Sequence, residues 1–380
     1  MNDIAVARPR IRHLTSVHRV EDTRILHREC ASLVRAGHDV ALIAGRPPQE
    51  PVAGVRVVGV GLPRNRIDRA FRVAWRVFRA ARRERADICH FHDPELIWVG
   101  LLLKVLGCRV VYDVHEDVPL QIMNKWWIPR YVRRFLSLGA AVAEWIAGRV
   151  LDAIVAATPT IAEKFPAAKT VVVQNFPESE IARRPDPVPV EERRYAFAYV
   201  GGLKAVQGAR EIPEVAAALP EGSRAVVAGW FDDEAVERDA RASEGWPRVD
   251  FLGGVSHERA IAAIRDSVCG LVIDHPISNY LDSYSTKMFE YMACAVPVVC
   301  SNFPLWARLV GDADCGIAVD PLDPRAAAAA IEKLLRDPDE ARRLGANGRR
   351  AILERYNWEN EFAKLDALYP RLGQPHVRKT

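Results

Sequence analysis

The chain has 380 residues, 49% of them apolar and 27% charged. That is the composition of a folded globular protein long enough for two cores of about 180 residues each, and it excludes a disordered or low-complexity chain. No window reaches the roughly 18 apolar residues of a membrane span, and the polar, Arg-rich first fifteen residues do not read as a secretory leader. The net charge of +4 is unevenly placed. Residues 1–190 carry 29 Lys and Arg against 20 Asp and Glu, a balance of +9, and the remainder 24 against 29, or −5. A polyanionic partner is therefore expected for the first half only. The seven cysteines are odd in number and widely spaced, without C-x-x-C, and read as reduced core thiols of a cytosolic protein.

In chain order, RIRHLTSV (10–17) reads as a strand and TRILHRECASLVRAG (23–37) as a helix ending at Gly37. Strands follow at 39–45 and 55–61, then a long helix over 64–85. Further buried strands are ADICHFH (86–92), CRVVYDVH (108–115), AIVAATP (153–159) and TVVVQNFP (170–177). Continuous apolar strands separated by helices predict a parallel, doubly wound sheet. The proline-rich stretch 178–194 reads as a linker. The pattern then restarts with strands at 195–202, 223–230, 249–254, 268–274 and 316–321, and helices at 209–218 and 256–266. SYSTKMFEYMACAVPVV (283–299) supplies a helix from Thr286 to Ala293 and a strand from Val296 to Val299. These strands and helices predict a second doubly wound sheet domain, and helices at about 325–336, 339–354 and 358–368 finish the chain, the last able to pack back on the first domain.

In such sheets ligands bind beyond the carboxyl ends of the strands, at helix N-termini. YVGGLKAVQG fits that place, with Gly201, Gly202 and Gly208 in a turn whose backbone can approach a phosphate. VAGW, with Gly229, ends a neighbouring strand. Lys287 stands in the first turn of its helix, where the macrodipole disfavours a cation. A bound anion resolves that conflict: free amides near Ser285, Thr286 and Lys287 with the lysine for a diphosphate, and Glu290 for sugar hydroxyls. An exposed turn with a solvated ion pair explains the same residues without a ligand.

In the first half, CHFHDPEL (89–96) and YDVHEDVP (112–119) place His90, His92, Asp93, His115, Glu116 and Asp117 at strand ends, and HRVEDTRI (18–25) follows the first strand. No i,i+4 His pair or Cys partner accompanies His90 and His92, so polar groups facing a substrate are favoured over a metal site, and no metal is expected. The helix over 64–85 carries Arg69, Arg72, Arg76, Arg79 and Arg83 at spacings of three and four, opposite Ile67, Phe71, Ala74, Trp75 and Phe78. MNKWWIPRYVRRFLSLG (123–139) mixes Trp126 and Trp127 with Lys125, Arg130, Arg133 and Arg134. Together the two segments suggest contact with an anionic membrane.

The combined pattern resembles the glycosyltransferases of family 4, group 1, with the GT-B fold: an α/β architecture of two Rossmann-like, doubly wound parallel-sheet domains facing a central cleft. The resemblance rests on TSVH…EDTRILHRECASLVRAGHDVALIAG, HFHDPELIWVG, VVYDVHED, YVGGL and, above all, STKMFEYMACAVPVV with SNFPLW. It implies an acceptor-binding domain over 1–185, a nucleotide-sugar-binding domain over 186–356, and a C-terminal helix and tail over 357–380. It implies a retaining transfer without metal or other cofactor, a nucleotide-diphosphate sugar as donor, and a lipid-linked or oligosaccharide acceptor in surface-polysaccharide synthesis. Carried over residue by residue, Gly201, Gly202, Lys204, Gly229, Ser285, Thr286, Lys287 and Glu290 hold the donor. His115, Asp282 and Glu290 lie at the reaction centre, and His18, Asp22, Arg24, His92, Asp93 and Glu116 lie on the acceptor side. Two departures stand out: the acid eight residues before Glu290 is Asp282 rather than Glu, and the glycine turn carries Gly202 and Gln207 where the family often has Arg and Lys. Location is expected to be cytoplasmic, peripheral to the inner membrane face, with no nucleic-acid partner. The competing readings are a nucleotide-sugar epimerase of the same fold, a metal-dependent hydrolase using the His/Asp cluster, and a non-catalytic scaffold on membrane or nucleic acid.

Overall fold

The structure is a computed structural model that describes residues 9–48, 51–125, 128–184 and 188–373. The chain divides into two compact units, Met1–Asn175 with Asn360–Thr380, and Phe176–Glu359.

The first unit is built on seven strands: β1 (Arg10–Leu14), β2 (Asp39–Ala44), β3 (Arg56–Gly59), β4 (Ile88–Phe91), β5 (Arg109–Val114), β6 (Ala153–Ala156) and β7 (Thr170–Val172). All pair in parallel in the order β3-β2-β1-β4-β5-β6-β7, so the winding reverses between β1 and β4. Both faces are covered by helices, which is why β4 and β6 are buried at every position. Leu14, Ile43, Phe91, Tyr112 and Ile154 form a core with Val73, Val77, Leu103 and Ala147 from the helices. The helices Ile97–Val105 and Arg130–Val150 belong to this unit and have no counterpart in the sequence reading.

The helix expected at 23–37 forms, but its opening segment Thr23–Cys30 is π-helical: the Ala31 amide reaches back to the Leu26 carbonyl. Asp22 caps it, accepting from the amides of Arg24 (2.9 Å) and Ile25 (3.0 Å). A second π-helical segment, Arg69–Val73, joins the turn Arg66–Asp68 to the α-helix Ala74–Arg83. The wider turn rotates the faces relative to a straight helix.

The second unit carries β8 (Tyr195–Val200), β9 (Ala225–Ala228), β10 (Val249–Gly253), β11 (Ser267–Val272), β12 (Val298–Ser301) and β13 (Gly316–Val319). They are parallel in the order β10-β9-β8-β11-β12-β13, reversing between β8 and β11. The stretch expected as a linker is partly folded, with a helical turn at Glu180–Arg183 and another at Val190–Glu192 that bury Ala182 and Val190. The strand expected from Val296 starts at Val298 instead. Ala295 takes φ 54°, and the Val296 amide is spent on the Tyr291 carbonyl (3.0 Å), closing the end of helix Thr286–Ala293. In the last helix, Trp358–Gly373, residues from Asn360 onward belong to the first unit, where Tyr369 is fully buried.

Candidate functional site

In the second unit the chain leaves β8 through Gly201 (φ 134°) and Gly202. A Cβ on Gly201 would stand 2.7 Å from Lys287 Cε, and one on Gly229 1.8 Å from the Gly201 carbonyl oxygen, so neither position admits a side chain. The glycine turn, the end of β9 and Lys287 are therefore in direct contact at the point where the strand order reverses.

Helix Thr286–Ala293 is held there by Tyr291. Its ring occupies the space left by Gly270, where a Cβ would lie 2.1 Å away. Its hydroxyl accepts from the Val200 amide (3.2 Å) and donates to the Leu271 carbonyl (3.3 Å). Trp306 anchors the preceding loop by donating to the Ser283 carbonyl (2.7 Å). At the helix start Ser285 makes no side-chain cap, and the amides of Thr286 and Lys287 have no partner among the described residues.

Lys287 is buried, at 8% exposure, with its ammonium 5.2 Å from the centre of the Tyr199 ring. It is not the solvated first-turn residue that a ligand-free reading of the sequence allows. Burial lowers its pKa, and Lys204 adds to that; Asp274 and Glu290 work against it. Asp274, two residues past the end of β11, is the residue sequence reasoning missed. Burial raises its pKa against the opposing charges of Lys287 and His275, and its Oδ1 has no hydrogen bond among the described residues. The only signal for it was an acid closing an apolar strand. Lys204 is exposed beside the turn, Glu290 lies one helical turn beyond Lys287, and Asp282 is exposed after the helical turn Ser278–Leu281. This arrangement, with two cations that repel each other, free amides and glycine backbone, can hold a phosphate-bearing anion.

In the first unit, parallel register aligns the polar residues. His13 of β1 pairs with His90 of β4, and Phe91 with Tyr112, which sets His92 beside Asp113. The side chains of His13, His90, His92, Asp113 and His115 share one sheet face. The π-helical turn lays Arg24 and Glu29 over them, and the last helix adds Tyr369. Arg24 binds Asp113 Oδ1 (3.0 Å) and lies 3.0 Å from Glu29 Oε1. His90 Nδ1 is 2.6 Å from the Tyr369 hydroxyl. His13 Nδ1 is 3.0 Å from His92 Nε2, and His92 Nδ1 is 3.1 Å from His115 Nε2. Burial holds the pKa of His92 down to about 3 and lowers those of His13 and His90, so the interior imidazoles are neutral. Glu29, His90, His92 and Asp113 each offer a ligand atom within 4.8 Å of the others, a grouping the sequence reading did not foresee.

Of the residues assigned to the acceptor side, four are engaged internally. Asp22 caps a helix, and Arg24 and His92 are buried in the cluster just described. Asp93 accepts from the Thr15 hydroxyl (2.9 Å) and the amides of Ser16 (2.5 Å) and Val17 (3.2 Å), fixing the loop after β1. Burial pushes the Asp93 pKa up, but the bond to His18 (2.8 Å), its charge and those loop donors outweigh it, and the value falls to about 2. His18, by the same pairing and despite burial, is raised. Its ring lies 4.9 Å from that of His115, and both are partly exposed. Glu116 is exposed and accepts from Gln121.

The Arg stripe differs from expectation. Helix Ala74–Arg83 turns Val77, Ala80 and Ala81 inward, and Ile67, Phe71 and Trp75 are exposed. The stripe is also partly neutralised: Arg69 pairs with Glu95 (2.5 Å), Arg72 with Asp68, and Arg76 donates to the Val60 carbonyl (3.3 Å). Arg79 and Arg83 have no ion-pair partner among the described residues. Trp126 and Trp127 lie outside the described residues. On helix Arg130–Val150, Tyr131, Phe135, Leu138, Val142 and Trp145 form an exposed apolar stripe. Among the described residues no helix is long and apolar enough to cross a membrane.

Two parallel-sheet α/β units of seven and six strands match the fold of the GT-B glycosyltransferases. The family profile "Glycosyl transferases group 1" matches residues 180–351 and "Glycosyl transferase 4-like domain" matches residues 23–175. The chain belongs to this family, the group 1 (family 4) glycosyltransferases. It is 34% identical over 126 residues to MMP alpha-(1->4)-mannosyltransferase of Mycolicibacterium hassiacum, covering 32% of this chain and 29% of that protein. It is 36% identical over 138 residues to O-antigen chain mannosyltransferase B of Escherichia coli, covering 35% of this chain and 32% of that protein. The matches thus span about a third of these two relatives. The solved structure of Anabaena Alr3699/HepE in complex with UDP-glucose aligns with a TM-score of 0.73 at 14% identity, covering 96% of this chain and 100% of that one, a likeness of fold.

Proposed function

We propose that the protein is a retaining glycosyltransferase that moves a hexose from a nucleotide-diphosphate sugar to a lipid-linked oligosaccharide in cell-envelope glycan synthesis. The observation that carries this reading is the buried Lys287 packed on Gly201 at a helix start with free amides. As the bond from the sugar C1 to the diphosphate oxygen breaks, negative charge builds on the diphosphate. The amides of Thr286 and Lys287 and the Lys287 ammonium stabilise that charge without a metal ion. The acceptor hydroxyl oxygen bonds to C1, and its proton leaves with the diphosphate. Glu290 takes the nucleotide ribose, and Asp282 and His115 serve the sugar. Gly202, Lys204, Gly229 and Ser285 complete the donor site, and His18 and Glu116 are the accessible groups on the acceptor side. Both relatives named above are mannosyltransferases, so a nucleotide-activated mannose is the first donor to try.

The same reading places the enzyme in the cytoplasm, at the inner membrane face. Support comes from Ile67, Phe71 and Trp75 exposed beside Arg79 and Arg83, and from the apolar stripe on helix Arg130–Val150 flanked by Arg130 and Arg134. The test is transfer of labelled sugar from GDP-mannose, UDP-glucose and UDP-N-acetylglucosamine to a lipid-linked acceptor, with and without added Mg²⁺, with the product anomer read by NMR. An α-linked product formed independently of Mg²⁺ supports the reading. Absence of nucleotide binding across the panel sinks it.

A further inference from the structure

The first unit buries Glu29, His90, His92 and Asp113 in one group, none more than 2% exposed. One guanidinium, Arg24, serves two carboxylates that have no water to reach. Around Asp113 Oδ2, His92 Nδ1 stands at 3.4 Å and His90 Nε2 at 3.6 Å. Ligands bonded to one tetrahedral zinc at 2.0–2.1 Å lie about 3.4 Å apart. Among the described residues, both oxygens of Glu29 and the Nε2 of His90 are buried without a hydrogen-bond partner.

The surrounding contacts orient these atoms as an outer shell does. With His90 Nδ1–H and His13 Nε2–H both donating to the Tyr369 hydroxyl oxygen (2.6 and 3.4 Å), and His92 Nε2–H donating to His13 Nδ1 (3.0 Å), every interior imidazole keeps one proton. His90 Nε2 and His92 Nδ1 then present lone pairs toward Asp113 Oδ2. Asp113 Oδ2 also accepts from Arg24 Nη2 (3.2 Å) and Nε (3.3 Å), and His92 Nδ1 meets His115 Nε2 (3.1 Å), so the atoms of the group left without a hydrogen bond among the described residues are the Glu29 oxygens and His90 Nε2. Arg24 grips both oxygens of Asp113 and lies beside Glu29 Oε1, which leaves Glu29 Oε2 and the second lone pair of Asp113 Oδ2 for a cation.

We infer that the first unit binds one divalent transition-metal ion, zinc by its two-imidazole, two-carboxylate ligand set, through Glu29, His90, His92 and Asp113. Four protein ligands and complete burial leave no open position, so the ion is structural and takes no part in sugar transfer. It cross-links β4, β5 and the π-helical turn, and the π turn is what brings Glu29 over the sheet.

The test uses the full-length wild-type protein purified without chelator from zinc-supplemented cells. Elemental analysis should give about one zinc per chain, and cobalt-grown protein should show the visible absorption of tetrahedral Co²⁺. Glu29→Gln and His92→Ala should each cut metal content at least fivefold. Should those variants fail to fold, unfolding wild-type protein in denaturant with EDTA and refolding it with and without zinc gives the answer, with a higher Tm expected in the zinc sample. Less than about a tenth of an equivalent in wild-type protein, or identical Tm values after the two refoldings, overturns the inference. So does metal retained in full by folded Glu29→Gln and His92→Ala. Nucleotide binding is measured on the same samples, and its loss or presence decides the proposed function separately.

Discussion

Replacing Lys287 with methionine separates binding from stability. The side chain is 8% exposed and its ammonium is held in place although burial disfavours the charge. Methionine fills the same space beside Gly201 and Tyr199 without a charge to desolvate. The neighbouring Asp274, whose pKa is already raised by burial, takes up a proton when the lysine is gone and leaves no unpaired carboxylate. The free variant should therefore be as stable as the wild type, or more so. Affinity for the nucleotide diphosphate should fall by one charge-assisted hydrogen bond, about 2 kcal/mol, or roughly thirtyfold in Kd. Titration calorimetry with UDP or GDP reads the affinity, and denaturant unfolding of the free protein reads the stability. A variant that is clearly less stable than wild type yet binds nucleotide equally well would refute the reasoning and make Lys287 a structural cation.

Glu144, on helix Arg130–Val150, has its carboxyl pushed up by burial from 4.5 to about 7. The folded state holds the proton that the unfolded state releases, so stability is intact below about pH 4.5 and falls as pH rises towards 7. Glu144→Gln should remove that slope and exceed wild type at pH 8 by up to about 3 kcal/mol, measured by urea unfolding across pH; parallel curves for the two proteins would contradict it. Gly229→Ala places a Cβ 1.8 Å from the Gly201 carbonyl oxygen, and should destabilise the second unit by about 3 kcal/mol or more, with loss of nucleotide binding. A soluble variant with wild-type affinity would show that the contact relaxes. Tyr291→Phe loses two hydrogen bonds and leaves the Val200 amide unpaired, at a cost of about 1–3 kcal/mol in unfolding free energy measured by urea titration. Phe135→Glu combined with Trp145→Glu should abolish flotation with anionic vesicles while leaving the circular dichroism spectrum unchanged. Undiminished flotation would remove helix Arg130–Val150 from the membrane surface.

The alternation of strands and helices was legible because parallel strands buried on both faces are continuous apolar runs, and both sheets follow from it. Lys287 stood out because a cation at a helix start is locally unfavourable. The sequence could not show that the lysine lies under Gly201, since that contact joins segments 86 residues apart through a glycine's missing side chain. Asp274 was invisible for the same reason. In the first unit, period-two spacing put His90 and His92 on one face, but the partners that complete the cluster come from a helix whose π turn no propensity announces. On a separate helix the expectation for Phe71 and Trp75 failed because the buried face is centred on Val77 and Ala81 rather than on the aromatic residues. The linker residues Ala182 and Val190 looked like solvent-exposed chain because proline-rich composition says nothing about what a short turn packs against.

Tyr369 belongs to the interior of the first unit although it stands near the end of the chain. The second unit is contiguous and can complete its core as soon as residue 359 has been made, whereas the first waits, with a gap in its wall, for the last helix. Order of synthesis and order of completion are thus inverted. A chain cut after residue 359 would keep the donor-side glycine turn whole and leave His90 without the hydroxyl that orients it, so the two halves of this protein cannot be separated at the point where their sheets divide.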